Sequence, residues 1–404
     1  MHVPSKLRKK LDWLFGRAEG VLLPESLRGK LDPDGARLAL LARTDELEIA
    51  GATDRLTHLL AAETDTHARE KYIETYGACG VRRFHAGTDA RIYQLAVETF
   101  PRHVNNIYVV LEGGSALLLD AGSGMPSAKR DLATGFDVMR AIYKESIRWE
   151  DLDLCVVSHA HSDHCGGVNA LKETTRARLA VHELDVRVIS AFEERLAEAS
   201  RAMDVYWQRA GIAADRRAEL LEMYQYGKLL FRSEPVDRAL RDGDLVGPGY
   251  RVHHVPGHCP GLLCLQVHDV LLTSDHVLAR ITPHQFPGEI TPYAGLGHYF
   301  ESLAKIRRVD GIRLALGGHE EPIPDLRKRV DEIVAFHDQR LARVVELCTA
   351  PPRTIAEVAG ELFGEQENYG IILAIDEAGA HVEYLHTQGR LARIDGEVPR
   401  FSAP

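Results

Sequence analysis

The sequence lacks a long apolar run. No stretch approaches the roughly 18 uncharged apolar residues from which a membrane-spanning helix is inferred. Residues 1–16 are basic at first and then apolar only over Leu11–Phe15, a run that Asp12 interrupts. A secretory signal needs a longer uncharged segment. We therefore expect neither a membrane span nor export, and predict a cytoplasmic protein.

The sequence also lacks a Cys-x-x-Cys pair, which argues against a zinc ribbon or a dithiol redox motif. The pattern is typical of reduced, mostly buried cysteines in a cytosolic enzyme. Two of them, Cys165 and Cys259, directly follow histidines, so a ligand or redox role stays open beside a simple packing role. The six cysteines are Cys79, Cys155, Cys165, Cys259, Cys264 and Cys348.

Positive charge is in short supply, with 49 Lys and Arg against 59 Asp and Glu and a formal net charge of -10. Such a chain has no overall attraction for polyanions, although a local basic patch can still exist. Nucleic acid is therefore not the expected partner. The length of 404 residues predicts two or three domains with ample sequence for a large core.

The residues from His159 to His164 read His-Ala-His-Ser-Asp-His. They follow the apolar run Leu152–Val157, which predicts a buried strand, and precede Gly166-Gly167. Four potential ligands on one strand-to-helix turn can converge on one point, and imidazole suits zinc, iron and manganese. The alternative is a solvated polar turn that happens to contain histidines.

Three further ligand-type residues lie downstream, each where an apolar run meets a turn. His258 lies in Val-Pro-Gly-His-Cys-Pro-Gly, Asp275 in Leu-Leu-Thr-Ser-Asp-His, and His319 in Leu-Gly-Gly-His-Glu. Seven such residues at four strand ends favour a two-metal site over a polar turn.

The series His-x-His-x-Asp-His, Pro-Gly-His, Asp after a strand and then Gly-His resembles the metallo-β-lactamase superfamily in motif and order. The resemblance covers about residues 91–325. It implies an α/β fold, a four-layered αββα sandwich, with two divalent ions that we expect to be zinc, with iron or manganese as alternatives. Ser274 departs from the glycine of many members. His161 stands where flavodiiron-type relatives usually carry Glu, which favours hydrolysis over oxygen reduction.

The resemblance also implies a role for each ligand-type residue. Asp163 would be catalytic as well, orienting a metal-bound hydroxide or passing its proton to the leaving group. Asp120, at the end of a strand, corresponds to the family's early structural Asp and is expected to form a turn or support a ligand. The implied ligands are His159, His161 and His258 for the first ion, Asp163, His164 and His319 for the second, and Asp275 as the bridge.

Three domains are predicted: a helical N-terminal extension over residues 1–90, a catalytic domain over 91–325, and a C-terminal domain over 326–404. Within the catalytic domain we predict strands at 92–97, 106–111 and 116–119 and a helix at Val138–Ile147. Residues 184–231 form a helical insertion rich in Met and aromatics, which either joins the core or walls an apolar substrate pocket.

A loop rich in Gly and Pro follows Asp275 and is expected at the rim of the active site. In it Arg280, His284 and Tyr293 are candidate substrate-binding residues, and plain loop residues are the alternative.

The C-terminal segment reads as three helices followed by a short β-wing. It resembles the winged-helix tail of relatives of the human β-lactamase-like protein 2, an RNA-cleaving member. Residues 336–404 contain 6 Lys and Arg against 11 Asp and Glu, whereas a module that binds a nucleic-acid backbone is basic. We therefore expect the tail to cover the site or to build a homodimer.

Similar metal sites open lactones, cleave thioesters and cut phosphodiesters, so the fold alone does not choose the substrate. The acidic domains and the aromatic insertion favour a small acyl thioester, as in glyoxalase II-like enzymes. The alternatives are a lactone or ester hydrolase, a phosphodiesterase or RNase, and an iron-dependent persulfide dioxygenase-like enzyme. A non-enzymatic alternative is a ligand-sensing regulator that binds DNA.

Overall fold

The computed structural model describes residues 80–100, 103–226, 228, 231–367 and 369–404. The chain divides into two compact units. The described part of the first unit spans residues 80–157 and 161–179, and the second unit contains residues 158–160 and 180–404. Most of the predicted N-terminal extension, residues 1–79, lies outside the described residues.

The first unit is built on a sheet whose strands lie side by side in chain order. Neighbours from β1 to β4 are antiparallel, and β4 and β5 are parallel. The three strands predicted at its centre are confirmed, with β2 and β3 longer than predicted. The strands are β1 (Val81–Ala86), β2 (Ala90–Phe100), β3 (His103–Glu112), β4 (Ser115–Leu119) and β5 (Leu154–Val157).

The sheet begins earlier in the chain than predicted. Strand β1 lies within residues 1–90, which were predicted to form a helical extension. It pairs with β2 over its whole length, with Phe84 opposite Ile92. The half-buried Arg82-Arg83 pair breaks the apolar alternation that would have revealed the strand. The boundary predicted at residue 90 is therefore too late.

The bounds predicted for the first helix, Val138–Ile147, are wrong. The structure has helix α1 at Pro126–Ala141. Pro126 occupies the first helical turn, where its missing N–H costs nothing. Gly135 lies against β2, where an added Cβ would collide with the Leu95 side chain. These two residues resemble helix breakers in the sequence, yet here one begins the helix and the other permits its packing.

Two short helices follow β5 in the first unit, α2 (Ser162–Cys165) and α3 (Val168–Thr174). Between them the Gly167 N–H donates to the Gly122 carbonyl at 2.8 Å. A Cβ at residue 167 would collide with the Ala121 carbonyl oxygen. Glycine is therefore required here, because two backbone segments approach within van der Waals contact.

The second unit begins within strand β6 (Arg178–His182), which pairs in parallel with β7 (Arg238–Leu240). Three helices lie between these two strands, in the segment predicted as a helical insertion. It contains α4 (Val186–Ser190), α5 (Phe192–Ala210) and α6 (Ala214–Tyr226).

A second sheet of the second unit has five strands in the spatial order β12-β11-β10-β9-β8. Its neighbours are antiparallel except β11 and β12, which are parallel and joined by a connection that contains helix α7 (Leu296–Arg307). The strands are β8 (Leu245–Val246), β9 (Tyr250–His254), β10 (Leu263–Val267), β11 (Val270–Ser274) and β12 (Leu314–Gly317).

The C-terminal segment of the second unit has three helices and a two-stranded antiparallel ribbon, in the predicted order. Thr354 and Glu357 form a capping box at the start of the second of these helices. The winged-helix assignment itself stays a prediction. The elements are α8 (Leu326–Leu347), α9 (Ile355–Phe363), α10 (Tyr369–Thr387), β13 (Ala392–Ile394) and β14 (Arg400–Ser402).

Three large side chains of α5 belong to the core of the second unit. Met203, Tyr206 and Trp207 are buried, and the Trp207 indole N–H donates to the Asp376 carboxyl on α10 at 3.2 Å. For these three side chains the core interpretation holds and the pocket-wall interpretation does not. Among the described helices, none combines the length and the apolarity needed to cross a membrane.

Replacing Gly167 by Ala should destabilise the protein by about 2–3 kcal/mol, because the new methyl group collides with a backbone carbonyl that cannot rotate away. The measurement is urea unfolding of the full chain. Gly360→Ala is the matched control, since Gly360 lies in helix α9 with no atom within 4 Å of an added Cβ. That change should be neutral or stabilise by up to about 1 kcal/mol. Equal midpoints for both variants would contradict the close approach at Gly167.

Candidate metal centre

The first unit contributes His161, Asp163 and His164, which follow the fully buried strand β5. His161 is the N-cap of α2, so Asp163 falls in the first helical turn and His164 directly after it. The buried His164 donates its Nδ1–H to Asp120 Oδ2 at 2.8 Å. Its Nε2 therefore carries the lone pair and lies 3.4 Å from Asp163 Oδ2. A carboxylate behind a metal-binding histidine fixes this tautomer.

Asp120 is held so that it can support His164, as expected from the sequence. It ends β4 with a positive φ of 69°, and it is almost fully buried. Its N–H donates to the Val156 carbonyl, and the N–H of Ala121 donates to the His164 carbonyl, both at 2.8 Å. The turn after β4 and the ligand segment therefore hold each other in place.

Two residues that contact Asp163 were not predicted from the sequence. His103 Nε2 and Asn105 Nδ2 each lie 3.0 Å from Asp163 Oδ2. The sequence signal for Asn105 was the polar pair Asn105-Asn106 in an otherwise apolar strand.

The second unit contributes His159, His258, Asp275 and His319, and it brings all four to loops next to strand ends. Asp275 Oδ2 lies 3.4 Å from His319 Nε2 and 3.9 Å from His258 Nε2. The rings of His159 and His258 lie 5.2 Å apart between centroids. All four side chains are nearly buried.

These separations fit a bound divalent ion. They exceed the length of about 2.8 Å typical of a charge-assisted hydrogen bond. Two donors that each lie about 2.1 Å from one tetrahedral ion are about 3.4 Å apart. The nitrogen and carboxylate donors are those of zinc, iron and manganese sites. The ligands of the second unit therefore suit such an ion by both spacing and chemistry.

Hydrogen bonds also orient the two histidines whose rings face each other. His258 donates its Nδ1–H to the His284 carbonyl at 2.5 Å, which leaves the lone pair on Nε2. His159 Nδ1 lies 3.0 Å from the Ser158 hydroxyl, which lies 2.7 Å from the Ser274 hydroxyl. Ser274 has a positive φ of 45°, a conformation that favours glycine, and its hydroxyl adds a contact that glycine would lack.

Asp185 is a buried acid that was not predicted as a functional residue from the sequence. It accepts the Ala160 N–H at 2.9 Å and a backbone N–H from Gly261. Burial raises the pKa of Asp185 to about 7, although the two N–H groups counteract this rise. A Cβ at residue 261 would collide with the Asp185 carboxyl group. One carboxylate thus joins the loop of His159 to the loop of His258.

The cysteines beside the ligands differ in their surroundings. Cys259 is buried, and burial raises the pKa of its thiol well above the ordinary value, which favours a protonated packing residue over a ligand. Cys165 is partly buried. Every cysteine in the described part of the chain is free of disulfides.

The three candidate substrate-binding residues lie in the loop between β11 and α7. The Arg280 guanidinium contacts Glu321 at 3.1 Å and Glu320 at 3.5 Å. His284 directs Nε2 to the Leu373 carbonyl, and burial lowers its pKa to about 3, so it is neutral. Tyr293 is half exposed, with its ring 5.9 Å from that of His298. Their contact with substrate stays a prediction.

Comparison with known proteins gives consistent matches. The sequence model of the Metallo-beta-lactamase superfamily matches residues 101–327, and that of the Metallo-beta-lactamase-like, C-terminal domain matches residues 341–404. The chain is 28% identical over 209 residues to the Hydroxyacylglutathione hydrolase of Cereibacter sphaeroides, covering 50% of this chain and 61% of that protein. It is 24% identical over 241 residues to the Lactamase-like protein aptB of Emericella nidulans, covering 59% and 58%. The chain thus spans about three fifths of these two relatives.

Two solved structures are similar over most of the chain. A metallo-beta-lactamase family protein from Thermus thermophilus matches with a TM-score of 0.65 and 25% identity, covering 78% of this chain and 98% of that one. A Beta-lactamase domain protein from Burkholderia ambifaria matches with the same TM-score and identity, covering 80% and 94%. These matches confirm the predicted fold class, an α/β sandwich with a helical C-terminal domain.

Asp185→Asn should lower the free energy of unfolding by about 1–3 kcal/mol. The Asn amide has one acceptor oxygen, so it can accept from one of the two backbone N–H groups, and its NH₂ group then faces the second N–H. Urea unfolding in the presence of a chelator measures this effect without bound metal. Asp310→Asn is the control, since Asp310 is exposed and should change stability by less than about 0.5 kcal/mol. If both variants unfold like the wild type, Asp185 does not join the two loops.

Proposed function

The chain belongs to the metallo-beta-lactamase superfamily, and from that premise we propose that it is a metal-dependent hydrolase of a small acyl thioester. The observation that carries the substrate class is the similarity to a hydroxyacylglutathione hydrolase. The tautomers of His164 and His258, each set by a hydrogen bond behind the ring, support a working metal centre. The acidic C-terminal segment supports a small substrate over a nucleic acid.

The proposed centre holds two divalent ions, with zinc as the first choice and iron or manganese as alternatives. When bound, such ions lower the pKa of water from 15.7 towards about 7 and polarise the acyl carbonyl oxygen. The ligand assignment follows the family pattern alone. By that pattern, His159, His161 and His258 would hold the first ion, Asp163, His164 and His319 would hold the second, and Asp275 would be shared.

The chain's own residues supply orientation and proton handling. Asp163 Oδ2 is held by Asn105 and His103, so its position does not depend on the substrate. A carboxylate fixed there can accept a proton and return it to the departing thiolate. His103 is about half exposed beside it and can exchange that proton with solvent.

The proposed function predicts that the purified protein contains about two divalent ions per chain and releases thiol from acyl-glutathione or acyl-CoA. Elemental analysis gives the metal content, and a thiol reagent follows the release. A chelator should abolish thiol release and added zinc should restore it, because the ions supply both the acidified water and the electrophile.

Other outcomes of this experiment would redirect the assignment. Bound metal without thiol release would contradict the thioesterase proposal and favour lactones or phosphodiesters. A single iron with oxygen consumption on a persulfide would indicate a dioxygenase-like enzyme. Retarded migration of DNA at physiological salt, together with no hydrolysis, would instead indicate a regulator.

Asp163→Asn should lower turnover by about a hundredfold to ten-thousandfold while the first metal stays bound, because the amide cannot take up a proton. His161→Ala should instead strip most metal from the first site with the fold retained. Metal content, circular dichroism and turnover separate the two. His85→Ala, an exposed position on β1 outside the ligand set, is the control. Wild-type turnover in the Asn variant would show that Asp163 has no catalytic role.

A further inference from the structure

The carbonyl that accepts the Nδ1–H of His258 lies in a loop, and a loop carbonyl keeps a fixed direction only if other contacts hold it. The His284 carbonyl that accepts the Nδ1–H of His258 lies 26 residues further along the chain, between β11 and α7. This carbonyl belongs to the peptide group that joins residues 284 and 285. A contact that fixes this peptide group therefore also fixes the acceptor for His258.

Helix α10 of the C-terminal segment contacts this loop at two successive residues. The His284 side chain donates Nε2–H to the Leu373 carbonyl at 2.9 Å. The backbone N–H of Gln285 donates to Glu377 Oε2 at 2.7 Å. The peptide that joins residues 284 and 285 contains both the carbonyl that faces His258 and the N–H that faces Glu377. Fixing that N–H therefore fixes the carbonyl, because a peptide group is planar.

Glu377 is itself held in one position. It is buried, and its other oxygen, Oε1, accepts from Arg340 Nη1 on α8 at 2.5 Å. The Arg340 guanidinium lies over the ring of Phe336, 4.5 Å from the centroid. Moving one partner of a buried pair alone would leave an uncompensated buried charge, so the two side chains hold each other in place.

The backbone of Glu377 is fixed as well. The buried His381 donates its Nδ1–H to the Glu377 carbonyl at 2.7 Å, one helical turn earlier. His381 Nε2 lies 3.1 Å from His337 Nδ1 on α8. These contacts join α8 to α10 next to Glu377.

We propose that Glu377 is a positioning residue for the metal ligand His258, acting through the peptide group of His284 and Gln285. The C-terminal segment then has a defined part in metal binding: it holds the carbonyl that selects the Nε2 tautomer and ring orientation of His258. This inference rests on the proposed function only in taking His258 as a metal ligand.

Glu377→Ala should weaken zinc binding by about 10- to 100-fold, the usual effect of losing a group behind a ligand histidine. The measurement is competition between metal-free full-length protein and a chromophoric zinc chelator. Glu377→Gln should recover most of the affinity, because an amide oxygen can still accept from Gln285. Equal affinity for wild type and Glu377→Ala would overturn the proposal.

Glu357→Ala is the control for general damage to the C-terminal segment. Glu357 caps α9 and pairs with Arg400. Its loss should lower the urea midpoint of unfolding, because a helix cap is lost, and leave zinc affinity unchanged. If this control weakened zinc binding as much as Glu377→Ala, instability alone would explain the loss and the specific role would be rejected.

A double variant covers the case in which Glu377→Ala does not fold. Arg340→Met with Glu377→Leu replaces the buried ion pair by apolar side chains of similar size, a change that is often neutral or stabilising. It still removes the acceptor for Gln285. The proposal predicts the same loss of zinc affinity in this folded variant, and full affinity would contradict it.

A measurement on metal-free protein separates this proposal from the proposed function. In protein labelled with ¹⁵N-histidine, the Nδ1–H of His258 should give a protected proton signal that His258→Ala removes. Glu377→Ala should abolish or shift this signal, and Glu357→Ala should not. If wild type bound no metal, the proposed function would fail while this signal still decided the role of Glu377. An unchanged signal in Glu377→Ala would refute it.

Discussion

The hydrogen bonds at the Nδ1 atoms of His164 and His258 are the constraint on which the candidate centre depends. An imidazole offers its lone pair to a metal at one nitrogen only if the other carries the proton. The Asp120 carboxylate makes that choice for His164, and the His284 carbonyl makes it for His258. Each unit must fold before its acceptor meets its histidine, because Asp120 and His164, like His284 and His258, lie far apart in the sequence.

Close packing of backbone segments supplies the accuracy that these hydrogen bonds need. Gly167 lies directly against the Ala121 carbonyl, beside the turn that carries Asp120. Gly261 lies directly against the Asp185 carboxyl group, which also accepts from the residue between His159 and His161. In both places glycine allows a contact that any Cβ would prevent. The ligand loops are therefore held by groups that do not themselves bind metal.

The candidate ligands and the three central strands of the first sheet could be predicted from the sequence because both predictions use local pattern. The spacing of His159 to His164 after a buried strand, and the turns at His258, Asp275 and His319, are visible without a structure. The bounds of helix α1 were wrong because Gly135, which disfavours a helix, is needed there for contact with β2. Strand β1 was not predicted because the pairing of Arg82 with β2 is not visible in the local sequence. Asn105, Asp185 and Glu377 were missed for the same reason, since each has its partner far away in the chain, 92 residues away for Glu377 and Gln285.

The central claim is that histidine and carboxylate side chains alone hold a two-ion centre, and X-ray absorption at the metal edge tests it most directly. The account predicts a first shell of nitrogen and oxygen at about 2.0–2.2 Å with imidazole scattering. It also predicts a metal–metal distance of about 3.5–4 Å. Sulfur scattering at about 2.3 Å would instead assign a ligand role to cysteine and contradict the account. So would the absence of any imidazole contribution.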